Sequence, residues 1–170
     1  MKKIYGIIAI LFSLQATAQI NKATLQASGL TCAMCSKAVY KALSAVPFVA
    51  GVQSNIEAST YELSFKPGTK PDFDALSKAV TNAGFSVSML KVTAKFNDVK
   101  VQNNAHVTIN NQLFHFLDVT PQTLQGEKTF SLIDKNFVTA KTHKKYDKMT
   151  TMACYESGKM DGQRVYHVTL

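Results

Sequence analysis

Two cysteines three residues apart, Cys32 and Cys35, stand where a helical pattern begins, so two thiols share one short stretch of chain. A thiolate is a soft ligand, and a pair of them can approach a d10 ion from opposite sides, giving the low coordination that Cu(I) accepts. Free N–H groups and the positive dipole end at a helix start favour a negative second thiol before any metal arrives. The same pair can close into a disulfide, so a metal site, a redox pair and an inert crosslink are all open at this point. Ser36 follows Cys35 where haem attachment needs histidine, and no second cysteine pair completes a structural zinc site. Met34 reads as a side chain between the ligands and not as a ligand. Lys37 and Lys41 either offset the charge of a bis-thiolate complex or are ordinary surface lysines.

The third cysteine poses a separate question. Met152 to Glu156 and Arg164 to Thr169 flank Gly158 to Gly162, the pattern of a hairpin turn. A register centred between Met160 and Asp161 places Cys154 opposite His167 and Met152 opposite Thr169. A thiolate and an imidazole paired in this way can share a soft metal, with His115 or His143 completing a second site. The plainer reading is a small buried thiol at Cys154 and a surface histidine at His167.

The elements that position Cys32 and Cys35 follow from periodicity. Lys22 to Ser28 alternates and ends at Gly29, a first strand. From Ser36, Ala38, Val39, Ala42, Leu43 and Val46 recur at helical spacing until Pro47. Val49 to Ile56 and Thr60 to Phe65 read as a hairpin. Pro71 opens a second helix, in which Phe73, Leu76, Ala79, Val80 and Ala83 share a face, and Phe85 to Leu90 closes the set as a strand. The order βαββαβ predicts a ferredoxin-like split βαβ sandwich, with helices on one face of an antiparallel sheet.

Beyond Leu90 the pattern changes to short β-like runs: Val92 to Phe96, Ala105 to Ile109, Leu113 to Val119, Thr129 to Ile133 and Phe137 to Ala140. Asn110-Asn111 favours positive φ and a tight hairpin. No long helix is expected here. The fold class is therefore α+β: a ferredoxin-like domain over residues 22–92, then a small mostly-β domain over 93–170, a barrel or sandwich with an OB-like barrel as one form.

The run Gly29-Leu30-Thr31-Cys32-Ala33-Met34-Cys35, with its flanking strand and helix, resembles the heavy-metal-associated domain of copper chaperones, periplasmic mercury-binding proteins and metal-pump N-termini. The resemblance covers Lys22 to about Val92 and extends to Asn82-Ala83-Gly84-Phe85. It implies that Phe85 lies under the metal loop. Leu30 stands where the family usually has methionine, a tolerated core exchange. An aspartate beside the first cysteine resembles zinc-type sites, and Thr31 occupies that place here. The resemblance thus implies Cu(I), with Hg(II) and Zn(II) as the other candidates, and a donor or acceptor protein that exchanges the ion. Residues 93–170 resemble nothing recognised.

Lys2 and Lys3, the apolar stretch Ile4 to Leu14 and the small-residue run Ala16-Thr17-Ala18 read as a signal peptide over residues 1–18, with the mature chain starting at Gln19. Its destination is the periplasm or the outside of the cell. The apolar stretch is too short for a transmembrane helix, and no later run reaches the required length of about 20 residues. The formal net charge of +8, two less without Lys2 and Lys3, fits solubility and weak attraction to anions. The basic run Lys141 to Lys148 lacks a nucleic-acid fold signature and reads as a solvated loop, so no nucleic-acid partner is expected.

Together these features predict an exported soft-metal-binding protein, a Cu(I) chaperone or buffer with Cys32 and Cys35 as ligands and no catalysis. Two alternatives stand beside it. A thiol-disulfide oxidoreductase would use the same pair, but the chain has no tryptophan at all and so lacks the tryptophan-flanked motif common in the thioredoxin type. In the third reading, the C-terminal half binds a ligand or partner and the first domain is its metal sensor.

Overall fold

The computed structural model describes residues 19–170. The expected signal peptide, residues 1–18, lies outside the described residues.

The first six elements come in the expected order: β1 (Gln19–Ser28), α1 (Ala33–Ser44), β2 (Val49–Asn55), β3 (Thr60–Phe65), α2 (Phe73–Asn82) and β4 (Ser86–Val101). Period-2 alternation selects the buried face. Ala23, Leu25 and Ala27 of β1 and Tyr61, Leu63 and Phe65 of β3 point into the core, while Lys22, Glu62 and Ser64 face solvent. Antiparallel pairing in the order β2-β3-β1-β4 puts β1 at the centre, the ferredoxin-like arrangement. Helix α1 buries Val39 and Leu43, and α2 buries Phe73, Leu76 and Val80, each an i, i+3/i+4 stripe. Ala38, expected on the inner face of α1, is exposed. Asp72 caps α2 by accepting from the Ala75 amide, so that helix starts at Phe73, two residues after the expected Pro71.

Strand β4 does not stop at Leu90. It runs on through Val92 to Val101, and its second half pairs with β7 (Gln122–Leu132). One open sheet therefore continues from the first six elements into the rest of the chain, in the order β2-β3-β1-β4-β7-β9-β6-β5. The added strands are β5 (Ala105–Ile109), β6 (Gln112–Phe116) and β9 (Gln163–Thr169), with the two-residue β8 (Lys159–Met160) paired to β9. Asn110 and Asn111, at φ +50° and +57°, make the expected tight turn between β5 and β6.

Three expectations for this half are corrected. Phe137 to Ala140 is not a strand, and it leads into helix α3 (Ala140–Asp147), capped by the Thr139 hydroxyl on the Thr142 amide. The basic run, expected as a solvated loop, is thus mostly helical, with no buried residue. Met152 to Glu156 is not a strand either. Tyr155 and Ser157 turn back by hydrogen bonds onto Met152 and Ala153, forming the short helix α4 (Cys154–Ser157) that ends at left-handed Gly158.

The joint between the halves is built around α2 and the segment before it. Phe73 packs edge-on against Phe114 and Tyr166. The side-chain amides of Asn110 and Gln112 donate to the Thr69 and Pro71 carbonyls, and the Ser77 hydroxyl donates to that of Asn136. A second, smaller core of Leu117, Ile133 and Tyr155 lies apart from the main one.

Candidate metal centre

Gly29 ends β1 at φ +87°, a conformation side chains other than glycine's rarely adopt, and this turns the chain toward α1. A Cβ at Gly29 would meet the Phe85 ring at 3.8 Å, which sets that ring beside the residue where the loop begins. Leu30 and Phe85 both pack against the core from this edge.

The helix begins earlier than expected, at Ala33 and not Ser36. Cys32 has extended backbone and is the N-cap: its sulfur accepts from the Cys35 amide at 3.3 Å. Cys35 therefore lies in the first turn of α1. The two sulfurs stand 2.7 Å apart and both thiols are free. Cys32 is exposed and Cys35 half-buried. The Cys32 thiol and a backbone hydrogen bond from Thr31 hold the Cys35 thiol below its ordinary pKa, against a small opposing effect of desolvation. Met34 is 71% exposed and points away from the core, and Lys37 and Lys41 are exposed. Beneath the loop, buried Tyr61 donates its hydroxyl to the Ser36 carbonyl at 3.2 Å, tying the first turn of α1 to β3.

This donor set suits a two-coordinate ion but not at its present spacing. Metal–sulfur bonds of about 2.3 Å on opposite sides of an ion span about 4.6 Å. The sulfurs must part, and the exposed, terminal position of Cys32 leaves it the freer to move.

Cys154 has neighbours other than the expected one. The turn falls at Asp161-Gly162, with Met160 opposite Gln163, one residue beyond the expected centre, and the pairing extends no further back than Lys159. Cys154 therefore never enters a strand opposite His167. From α4 its sulfur lies 3.5 Å from His106 Nε2 and 3.6 Å from His115 Nδ1. His167 turns to Asp134 instead: its Nδ1 is 2.9 Å from Oδ1, and its backbone N–H donates to Oδ2 at 2.9 Å. It is wholly buried, not a surface histidine. His143 stacks on Tyr155 and takes no part. His115 is brought to Cys154 as expected, and His106 is the residue that sequence reasoning missed. Its signal was present, because a two-residue turn at Asn110-Asn111 by itself puts His106 opposite His115.

Among the described residues no helix is long and apolar enough to cross a membrane. Residues 24–86 match the family model of the heavy-metal-associated domain. Copper-transporting ATPase 2 of Rhizobium meliloti (strain 1021) is 42% identical over 67 residues, a match that covers 39% of this chain and 8% of that protein. Oxidized MerP from Ralstonia metallidurans CH34 is 32% identical, covering 42% of this chain and 96% of that one at a TM-score of 0.37. The N-terminal domain of a potential copper-translocating P-type ATPase from Bacillus subtilis, in its Cu(I)-loaded state, is 26% identical, covering 41% and 85% at a TM-score of 0.36. Residues 24–86 are a heavy-metal-associated domain, a metal-binding module, and both Cys32 and Cys35 lie inside it.

Proposed function

We propose that this protein is an exported carrier or buffer of a soft metal ion, Cu(I), held between Cys32 and Cys35, and that it is not an enzyme. The observation that carries the reading is the pair of unbridged thiols at the start of α1, 2.7 Å apart and open to solvent on the Cys32 side, within the matched domain. Cys35, with its lowered pKa, supplies a ready thiolate. Cys32 swings outward to complete a two-coordinate site as the ion enters. The thiol protons leave as the metal–sulfur bonds form. An incoming thiolate from a donor or acceptor protein can displace the exposed Cys32 first, so the ion passes between proteins without being released.

The copper-transporting relative supports Cu(I) as cargo, with Hg(II) and Zn(II) the competing ions. The strands beyond Val92 continue the carrier's open sheet as a mostly-β extension. The leader expected at residues 1–18 assigns the protein to the periplasm or the exterior, and N-terminal analysis of the exported chain should find Gln19 first.

Anaerobic titration of the reduced chain with Cu(I), Zn(II) and Hg(II) against a competing chelator tests the site. A chain that loses no tightly held Cu(I) equivalent when Cys32 and Cys35 are both replaced by serine would remove its basis.

A further inference from the structure

Three histidines line up across adjacent strands. His106 on β5 is paired with His115 on β6, and His115 is paired in the parallel register with His167 on β9. Residues in direct register point to the same side of a sheet. Phe114 and Phe116 go into the main core from the other side, so the histidine row faces the second core, where α4 and Tyr155 cover it. Three imidazoles and a thiol in so apolar a setting call for an account, since buried polar groups are ordinarily matched with partners.

The thiol and two of the imidazoles converge. The Cys154 sulfur lies 3.5 Å and 3.6 Å from the facing nitrogens of His106 and His115, and all three ligand atoms fall within 4.8 Å of one another. The two rings stack at 4.4 Å with their planes 15° apart, both edges presented to the sulfur. An ion about 2.3 Å from sulfur and about 2.0 Å from nitrogen, with trigonal angles, places sulfur and nitrogen about 3.7 Å apart. The observed separations are therefore close to those of a loaded site before any ion arrives. This contrasts with Cys32 and Cys35, whose sulfurs must separate.

We propose that His106, His115 and Cys154 form a second metal site, a three-coordinate centre for Cu(I). Charge selects the ion. One thiolate and two neutral imidazoles around Cu(I) sum to zero, whereas a divalent ion would leave a net positive charge in a buried position. The ligands are a soft thiolate and two imidazoles, a combination that suits copper. His115 is wholly buried and turns its Nδ1 to the sulfur, so its lone pair is placed for the ion. The Cys154 thiol gives up its proton as the metal–sulfur bond forms. His106 is only half-buried and opens the site to solvent, while Cys154 and His115 are closed off. The ion enters from the His106 side. Asp134 holds His167 from behind and leaves it outside the ligand set.

The test uses the full-length reduced chain and Cu(I) itself. The Cys32→Ser/Cys35→Ser variant should still bind one equivalent of Cu(I), with one sulfur and two nitrogens in the first shell by X-ray absorption. Adding Cys154→Ala should abolish that equivalent. Adding His106→Gln instead, at a half-exposed position, with folding checked by circular dichroism, should weaken it by at least about tenfold, the loss expected even for groups that only support a ligand. If the folded double variant binds no Cu(I), or binds it with unchanged affinity after either His106→Gln or Cys154→Ala, the second site does not exist. This outcome is separate from the first site, whose failure would show as a parent that loses no equivalent when Cys32 and Cys35 are replaced.

Discussion

Asp74 on α2 accepts two parallel hydrogen bonds from Arg164 on β9, Nε to Oδ2 at 2.8 Å and Nη2 to Oδ1 at 3.1 Å. The remaining guanidinium nitrogen, Nη1, donates to Asp134 Oδ1 at 3.0 Å, and the guanidinium lies 4.3 Å from the Tyr166 ring centre. One side chain from the last strand thus binds a helix of the heavy-metal-associated domain and the carboxylate that anchors His167. Arginine suits this place because its planar fork can meet two carboxylates and stack on a ring at once.

Arg164→Ala should destabilise the whole chain by about 3 kcal/mol, because it removes a guanidinium partner 3.0 Å from the nearly buried Asp134 carboxylate. Arg164→Lys should recover little of that, since an ammonium cannot make the paired contact with Asp74. Urea unfolding followed by circular dichroism measures both. A loss below about 1 kcal/mol for Arg164→Ala would mean the clamp is a surface contact only.

At the proposed Cys32/Cys35 site, Cys32→Ser and Cys35→Ser should each remove one tightly held Cu(I) equivalent, because a single thiolate does not hold the ion against a strong chelator. Neither change should alter the melting temperature of the metal-free chain by more than about 2 °C, since both residues lie at a solvent-facing helix start. A single variant that still holds as many tight Cu(I) equivalents as the parent would assign the first ion to other ligands.

Oxidation should switch this site off. Two free thiols already in contact can close into a disulfide, which has no thiolate to donate. Thiol counting on protein taken directly from its compartment should find Cys32 and Cys35 reduced or metal-protected. A pair that is fully oxidised there, and that no physiological reductant opens, would return it to the role of an inert crosslink.

Stability should also fall on mild acidification. Burial, with repulsion from the neighbouring His167 and His106 side chains, depresses His115 to a folded pKa of about 4, from an ordinary value near 6.5. Between those values the unfolded chain takes up a proton that the folded one refuses. This contribution is therefore complete above pH 6.5 and is lost as pH falls toward 4. His106, lowered by burial and by His167, adds to the same slope. The metal-free chain should melt at a lower temperature at pH 5 than at pH 7, and His115→Gln should flatten that difference. An unchanged difference in the variant would place the titrating group elsewhere.

How much of this was legible beforehand differs by element. Alternation in Lys22–Ser28 and Thr60–Phe65, and the stripe Phe73, Leu76, Val80, determined the first six elements, because each of these segments has one apolar face and its period is a local property. That Cys32 and Cys35 meet was equally local, since they stand three residues apart along the chain. Even the pairing of His106 with His115 was implied by the two-residue turn at Asn110-Asn111, although nothing local said that the pair mattered. By contrast, Met152 to Glu156 reads equally as a strand or a turn, and it became α4 only because Tyr155 finds its place in the second core, with its hydroxyl on the Ile133 and His143 carbonyls. The parallel pairing of β6 with β9, the union of Cys154 with two histidines from β5 and β6, and the Arg164 clamp join residues dozens of positions apart. Such contacts are chosen by the packing of whole elements against each other. Only the tertiary structure decided them, because no periodicity within a single segment carries that information.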